Sequence, residues 1–555
     1  MDKKLTDVAA GRVKADLVIK NAFVADVFNG RFIRGDVAVC GERIAGFGEY
    51  SGVEEIDGTD KYVMPSFYDT HLHFESVMIR PSEYLKLAVP RGVTAFNADP
   101  HEIANVAGEA GIKFMLDEVK DIPADVYFMM PSCVPSAAED HSGCVLDAAD
   151  VKRISQKLGL FGLGEVMNFP AVINADPDMF GKLDALEIKD GHAPSLSGNA
   201  LNAYLSARIL TDHECADVDE VLEKVSKGMY VMLREGSQTK NLKSLIGAVN
   251  KTNLRRFIFC TDDRNVEDLF ELGTIKNNVS LAVECGMSPV DAITIASLNA
   301  FEAYGIKYHG AIAPGYSADF LLCSDDAARN IERVYYRGGL VAKDGKPLFD
   351  ITGKTADASA LKGSVRIKPV TENDFVLPYK KGMPIMRVFP NTVVTECVEA
   401  AGKTADGLDL MCCIERHDAS GDIGKCYVDG IGLKGGAVAQ TVGHDAHNIT
   451  VLGDNARDMK LAVDSLGADG GLTLVKNGKL IGKLPLEIGG LMTAMPAERA
   501  LQTRKELLAA LDGMDYNKRI EPFMLLSFLT LIVIPDVKLN HKGLFSVSKW
   551  KYLYN

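Results

Sequence analysis

The chain has 555 residues, a formal charge of -14, 47% hydrophobic residues and 25% charged ones. Such a length exceeds one hydrophobic core, so two or three domains are expected, and the acidic balance argues against a surface for nucleic acid or another polyanion. The longest apolar run, Phe523 to Ile534 between Pro522 and Pro535, is too short to span a bilayer and reads as a buried strand or helix. The opening MDKKLTDVAAGRVKADLVIKN lacks the continuous apolar core of a secretory signal, so a cytoplasmic location is the default. The 11 cysteines are scattered from Cys40 to Cys426 with no Cys-x-x-Cys pair; they read as reduced thiols, which leaves no zinc ribbon and no thioredoxin-like site.

From Ala15 to about Val63, short β-rich runs alternate with turn signals such as Asn29-Gly30, predicting a small β-module over 1–63. Over 64–304, strand-like runs (TAFNADP, VYFMMPS, LFGLGEV, RFIFCTDD) alternate with helical ones (VAGEAGIKFMLDEVK, VEDLFELGTIKNNVSLAVECG). This is βαβ texture, and about 250 residues is the usual length of a (β/α)8 barrel. The β-texture returns over 305–360, in GAIAPGYSADFLLCSDD and ERVYYRGGLVAKDGKPL. The remainder, 361–555, mixes strands such as NITVLG with helices such as ARDMKLAVDSLGA and reads as a separate α/β domain.

Metal-ligand residue types stand where the strand-like runs end. His71 and His73 follow the apolar run from Tyr62, and strand alternation turns both imidazoles to one face. Glu165 closes LFGLGEV, His192 lies in DGHAP, His213 in TDHE, and Asp262 closes RFIFCTD. In a (β/α)8 barrel the C-terminal strand ends converge on the active site. Four histidines with two carboxylates there make a binuclear divalent metal site, in which Glu165 bridges and Asp262 both ligates and accepts a proton from water. Each residue also has a plainer use. A lone buried histidine is usually hydrogen-bonded within the core, and Asp262 would serve as a helix N-cap, a part Asp263 fits better.

Other clusters are ambiguous. Asp99-Pro100-His101-Glu102 opens a helix, where Asp99 would cap and Pro100 take the first position, or the cluster adds a metal or substrate contact. Arg234-Glu235-Gly236-Ser237 reads equally as a substrate contact or a surface ion pair. Gly430-Ile-Gly432-Leu-Lys-Gly435 matches a dinucleotide fingerprint in letters only and reads as turns, since GAVAQTVG follows rather than a helix. His444-Asp445-Ala446-His447 stands alone, either bonded within its own domain or placed substrate-side at a domain seam.

The string PSFYDTHLHFES from Pro65 resembles the amidohydrolase superfamily, and DPHEIANVAGEAG, SCVPS, GLGEVM, DGHAP, LNAYLSARILTDHE, REGS and CTDDR narrow the resemblance to its adenine deaminases. GAIAPGYSAD, GHDAHNITVLG and PFMLLSFLTLIVIP extend it nearly to the chain's end. The resemblance implies a TIM barrel, a small β-sandwich formed by the flanking segments, and a C-terminal domain. It also implies a binuclear centre of Mn2+ or Fe2+, with Zn2+ as a further option, ligated by His71, His73, Glu165, His192, His213 and Asp262. The sequence departs from the pattern at Ser66, where the family has Gly, and at Thr274, where a His is common.

The implied reaction is hydrolysis of adenine to hypoxanthine and ammonia, in which hydroxide attacks C6 and an acid, Glu102 or Glu235, protonates N1. The other deaminase design pairs His-x-Glu with Pro-Cys-x-x-Cys; His73-Phe-Glu75 supplies the first half and the cysteines are missing. Two rivals are a hydrolase of cyclic amides, whose relatives often bridge their metals with a modified lysine, and a catalytically silent scaffold, which would be expected to lose ligands. The expected partner is a small molecule, with no nucleic acid and no membrane, and a homodimer is the default assembly.

Overall fold

The structure is a computed structural model that describes residues 3–390 and 392–554. The N-terminal strands β1 (Ala15–Asp26), β2 (Arg31–Cys40), β3 (Arg43–Gly48), β4 (Gly52–Asp57) and β5 (Tyr62–Pro65) begin a nine-stranded sheet. Their inward alternate residues, among them Leu17, Ile19, Val37 and Val39, pack into one apolar cluster with Phe320 and Leu322 from far downstream.

The chain then enters the parallel strands β6 (Phe67–Leu72), β7 (Val93–Ala98), β8 (Asp125–Met130), β9 (Gly162–Val166) and β10 (Lys189–Gly191), which form one five-stranded sheet in that order. Strands β11 (Thr211–Asp212), β12 (Tyr230–Arg234) and β13 (Phe257–Cys260) form a second parallel sheet of three. Two contacts join these sheets into a closed (β/α)8 barrel. The Gly191 N–H donates to Thr211 Oγ1 at 2.9 Å, and Asp262 N–H donates to the His71 carbonyl at 2.9 Å. Helices such as His101–Val119 and Val218–Ser226 connect successive strands. Largely apolar runs make β7, β8, β12 and β13, because both faces of a parallel barrel sheet are covered.

Strands β14 (Phe320–Cys323), β15 (Ile331–Tyr336), β16 (Gly339–Lys343) and β17 (Lys346–Pro347) complete the first sheet, β14 pairing antiparallel with β5 from Phe320↔Pro65 to Cys323↔Tyr62. The two β-rich flanks are therefore one sheet. Ser66, at the β5–β6 junction, is held by Thr94 through a 2.6 Å hydroxyl pair.

Downstream lie an eight-stranded sheet, a three-stranded sheet and the helices Ala456–Leu466, Ala497–Asp512 and Pro522–Phe528. The apolar run from Phe523 is thus a short buried helix and the turns after it. The Gly430 to Gly435 segment is a turn whose Gly432 and Leu433 N–H groups donate to Asp409, and a strand, Gly436–Gln440, follows it. Among the described residues, no helix is long and apolar enough to cross a membrane.

Candidate metal centre

All six sequence-predicted ligands sit at or just past barrel strand ends and are brought together: His71 and His73 at β6, Glu165 in β9, His192 after β10, His213 after β11 and Asp262 after β13. Glu165 occupies the middle. Its Oε1 lies 3.7 Å from His71 Nε2 and 3.4 Å from His73 Nε2, while Oε2 lies 2.7 Å from His192 Nδ1 and 3.4 Å from His213 Nε2. One carboxylate thus turns one oxygen to each pair of histidines. Asp262 Oδ1 closes the first group, 3.7 Å from His71 Nε2 and 3.2 Å from His73 Nε2.

These separations suit shared cations, because ligand atoms about 2.1 Å from one ion stand roughly 3 to 3.5 Å apart. Both ring nitrogens of His71 are buried without a hydrogen-bond partner, which is costly unless a cation or water engages them. His73 Nδ1 lies 2.9 Å from the Asp99 carbonyl, an acceptor, so Nδ1 carries the proton and Nε2 keeps its lone pair for the cluster. The donor set therefore fits a pair of divalent ions.

The supporting residues were mostly illegible in the sequence. Asp99 does not cap the helix His101–Val119, whose N-cap is Pro100; its Oδ2 accepts from the Glu165 N–H at 2.9 Å. Gly164 makes this approach possible, since a Cβ there would run into the Asp99 carboxylate. His101 Nδ1 stands 3.6 Å from Glu165 Oε1, and its Nε2 stands 3.3 Å from Glu102 Oε1. Beneath His71, Asp190 accepts from Asn97 at 2.9 Å, Thr211 at 2.9 Å and Tyr304 at 2.8 Å, forming a polar floor to the barrel mouth.

Arg234 is a buried ion-pair partner rather than a surface one: it binds Glu214 at 2.6 Å and also grips Asp262 Oδ2. Burial alone would raise the Asp262 carboxyl, but Arg234 and the nearby histidines hold it well below the usual carboxylate range. Burial likewise opposes charge on Glu165, and His192, His213 and His73 hold it ionised. The Asp262 backbone adopts φ 56°, a left-handed conformation that costs energy in a non-glycine residue and aims the carboxylate into the cluster. The helix N-cap after it is Asn265, which accepts from the Asp268 N–H; Asp263 instead lines a cleft and accepts from Ser76.

Glu102 and Glu235 are placed differently from each other. Glu102 is buried beside His101, and its two oxygens contact His444 Nδ1 and His447 Nε2 from the C-terminal region. Burial pushes its pKa up, yet His444, His447 and His101 hold it well below the ordinary value, so it is an acceptor and a poor proton donor. Glu235 carries a raised pKa from burial and faces Lys240 and Arg264. Thr274 is the buried N-cap of the helix Ile275–Glu284, behind a Gly273 that packs on Arg91. The HDAH motif is therefore not isolated: it sits at the seam.

Residues 62–341 match the model of the amidohydrolase family, and residues 389–551 match the adenine deaminase C-terminal domain. An adenine deaminase of Nitratidesulfovibrio vulgaris (Hildenborough) is 42% identical over 99% of this chain and 98% of its own length. One from Bacillus pumilus is 44% identical over 100% and 99%, and one from Bacillus subtilis 39% identical over 99% and 98%.

Proposed function

The chain belongs to the adenine deaminase family of amidohydrolases, and from that premise we propose that it hydrolyses adenine to hypoxanthine and ammonia. The observation that carries the reading is Glu165 between two histidine pairs with Asp262 beside one of them, within a chain that aligns with adenine deaminases over almost its full length. His71, His73, Glu165, His192, His213 and Asp262 would hold two divalent ions, Mn2+ or Fe2+ foremost and Zn2+ as an alternative, which when bound would lower the pKa of water and so make hydroxide available near neutral pH.

The chain's own residues manage position and protons. Arg234 keeps Asp262 ionised, so that its carboxylate can take a proton from the attacking water and hand it to the departing amine. Asp99 fixes Glu165 through its side chain and His73 through its own carbonyl, so two ligands share one support. The proposal includes the division at 1–63, 64–304, 305–360 and 361–555, a homodimer, a cytoplasmic location and a role in purine salvage. The test is direct: load the purified protein with manganese or iron, add adenine, and follow ammonia release and the ultraviolet change. Absence of turnover with two ions bound per chain would refute the deaminase reading.

A further inference from the structure

The buried triad of Glu102, His444 and His447 joins the barrel to the C-terminal region across 342 to 345 residues of sequence. Its residue types suit a third cation, but its hydrogen bonding does not. His447 Nδ1 accepts the Gly443 N–H at 3.1 Å, so the ring proton of the neutral imidazole lies on Nε2. That N–H donates to Glu102 Oε2 and offers no lone pair to a metal. Glu102 Oε1 takes the Nδ1–H of His444. Two N–H groups from one loop thus satisfy one carboxylate.

With Nδ1 committed, Nε2 of His444 has no protein partner among the described residues, and the ring borders a cleft. The cleft's barrel wall includes Ser76 and Asp263, and the Asp263 carboxylate clusters with His73 and Asp262, so this wall is continuous with the metal centre. Its opposite wall is Phe523, Met524 and Phe528, an apolar surface suited to a flat base; the His444 ring stacks on Phe528 at 4.7 Å.

We propose that His444 donates the proton to N1 of the base bound in this cleft, with Glu102 and His447 as positioning residues. The inference rests on the deaminase reading and deepens it. As the water oxygen bonds to C6, the C6–N1 π pair moves to N1 and takes the proton from His444 Nε2, while Asp262 holds the proton given up by water. Asp262 protonates the amine, the C6–N bond breaks, and ammonia leaves. Hypoxanthine keeps the proton on N1; the proton released from the C6 hydroxyl returns His444, through solvent, to its cationic form.

The surroundings suit a cationic His444. Burial opposes its charge, but the carboxylates of Glu102, Asp263 and Asp445 push its pKa up to about 9. The other charged or titratable groups around it are His447 and His101, beyond Glu102, and Arg264 and Arg504 along the cleft.

The test uses the full chain loaded with manganese, with adenine as substrate and metal content and melting temperature measured on each protein. For His444→Gln we expect kcat/KM to fall about 100-fold or more, two ions to remain, and the loss of activity above about pH 9 expected of the parent to be absent. Glu102→Gln removes the carboxylate that stabilises the imidazolium and should move that basic limb to lower pH. A His444→Gln variant within threefold of the parent overturns the inference while leaving the deaminase reading intact. So does a third ion bound by the parent and lost in His444→Gln. Should His444→Gln melt far below the parent, an unmoved basic limb in Glu102→Gln is the overturning result. A parent that fails on adenine fails the functional reading itself.

Discussion

The two β-rich regions outside the barrel meet opposite ends of it. The nine-stranded sheet touches the strand starts: Tyr336 OH donates to Asp125 at 2.9 Å and Arg337 binds the same carboxylate at 2.8 Å, where β8 begins, while Leu321 and Ile331 pack against Gly92, just before β7. The C-terminal region touches the segments beyond the strand ends. His444 and His447 reach Glu102 after β7, and Asn448 donates to the His141 carbonyl at 2.9 Å after β8. Since barrel chemistry collects at the C-terminal strand ends, one accessory region braces the scaffold and the other reaches the candidate site.

Substitutions should separate these two parts, beginning with the site. His71→Ala removes a ligand from the group that contains Glu165 and Asp262 and should lower activity by roughly three orders of magnitude with loss of bound metal, as metal analysis beside the adenine assay would show. Arg234→Met leaves the buried Asp262 carboxylate and the half-buried Glu214 carboxylate without their cation. Breaking a buried pair in this way costs about 3 to 5 kcal/mol, and both melting temperature and kcat should fall. Gly164→Ala pushes Asp99 away from the Glu165 N–H; a support of this kind is worth roughly 10- to 100-fold in metal affinity or activity, measurable by titrating manganese into the metal-free protein.

The smallest effect belongs to the bracing sheet. Asp36 accepts from Lys20 at 2.5 Å and from the N–H groups of Asn21 and Tyr50. Burial would raise its pKa, but these partners hold it below the ordinary value. A depressed carboxyl stabilises the fold above its unfolded pKa, near 4, and that contribution disappears as pH falls through the lowered folded value. Asp36→Asn should therefore lower the melting temperature at pH 7, by no more than about 1 kcal/mol of stability, and match the parent in acid. Its kcat/KM should equal the parent's; a large drop would break the division between bracing the scaffold and reaching the site.

The sequence disclosed the site's ligands better than their supports. The convergence of the six candidate ligands was legible because His71, His73, Glu165 and Asp262 close or follow short apolar runs and barrel strands present their ends to one side, whereas His192 and His213 follow the short polar strands Lys189–Gly191 and Thr211–Asp212. Asp99 stayed ambiguous because a residue before a proline and a helix reads locally as a cap, whereas its carboxylate is claimed by Glu165, 66 residues away. Arg234 looked exposable because its partners Glu214 and Asp262 lie on other strand ends. The His444 motif had no local companion at all, since its partner Glu102 lies 342 residues upstream.

The stacking of Phe528 on His444 sets an order of events during synthesis. A ribosome delivers the barrel and its ligands long before the helix Pro522–Phe528 emerges, so a nascent chain can gather metal before the wall that shelters the base exists. Until that helix docks, the cleft stands open to bulk water on the side where Phe523, Met524 and Phe528 later close it. The apolar wall of the cleft therefore comes from a segment made more than 250 residues after Asp262, and the cleft is complete only when that segment docks.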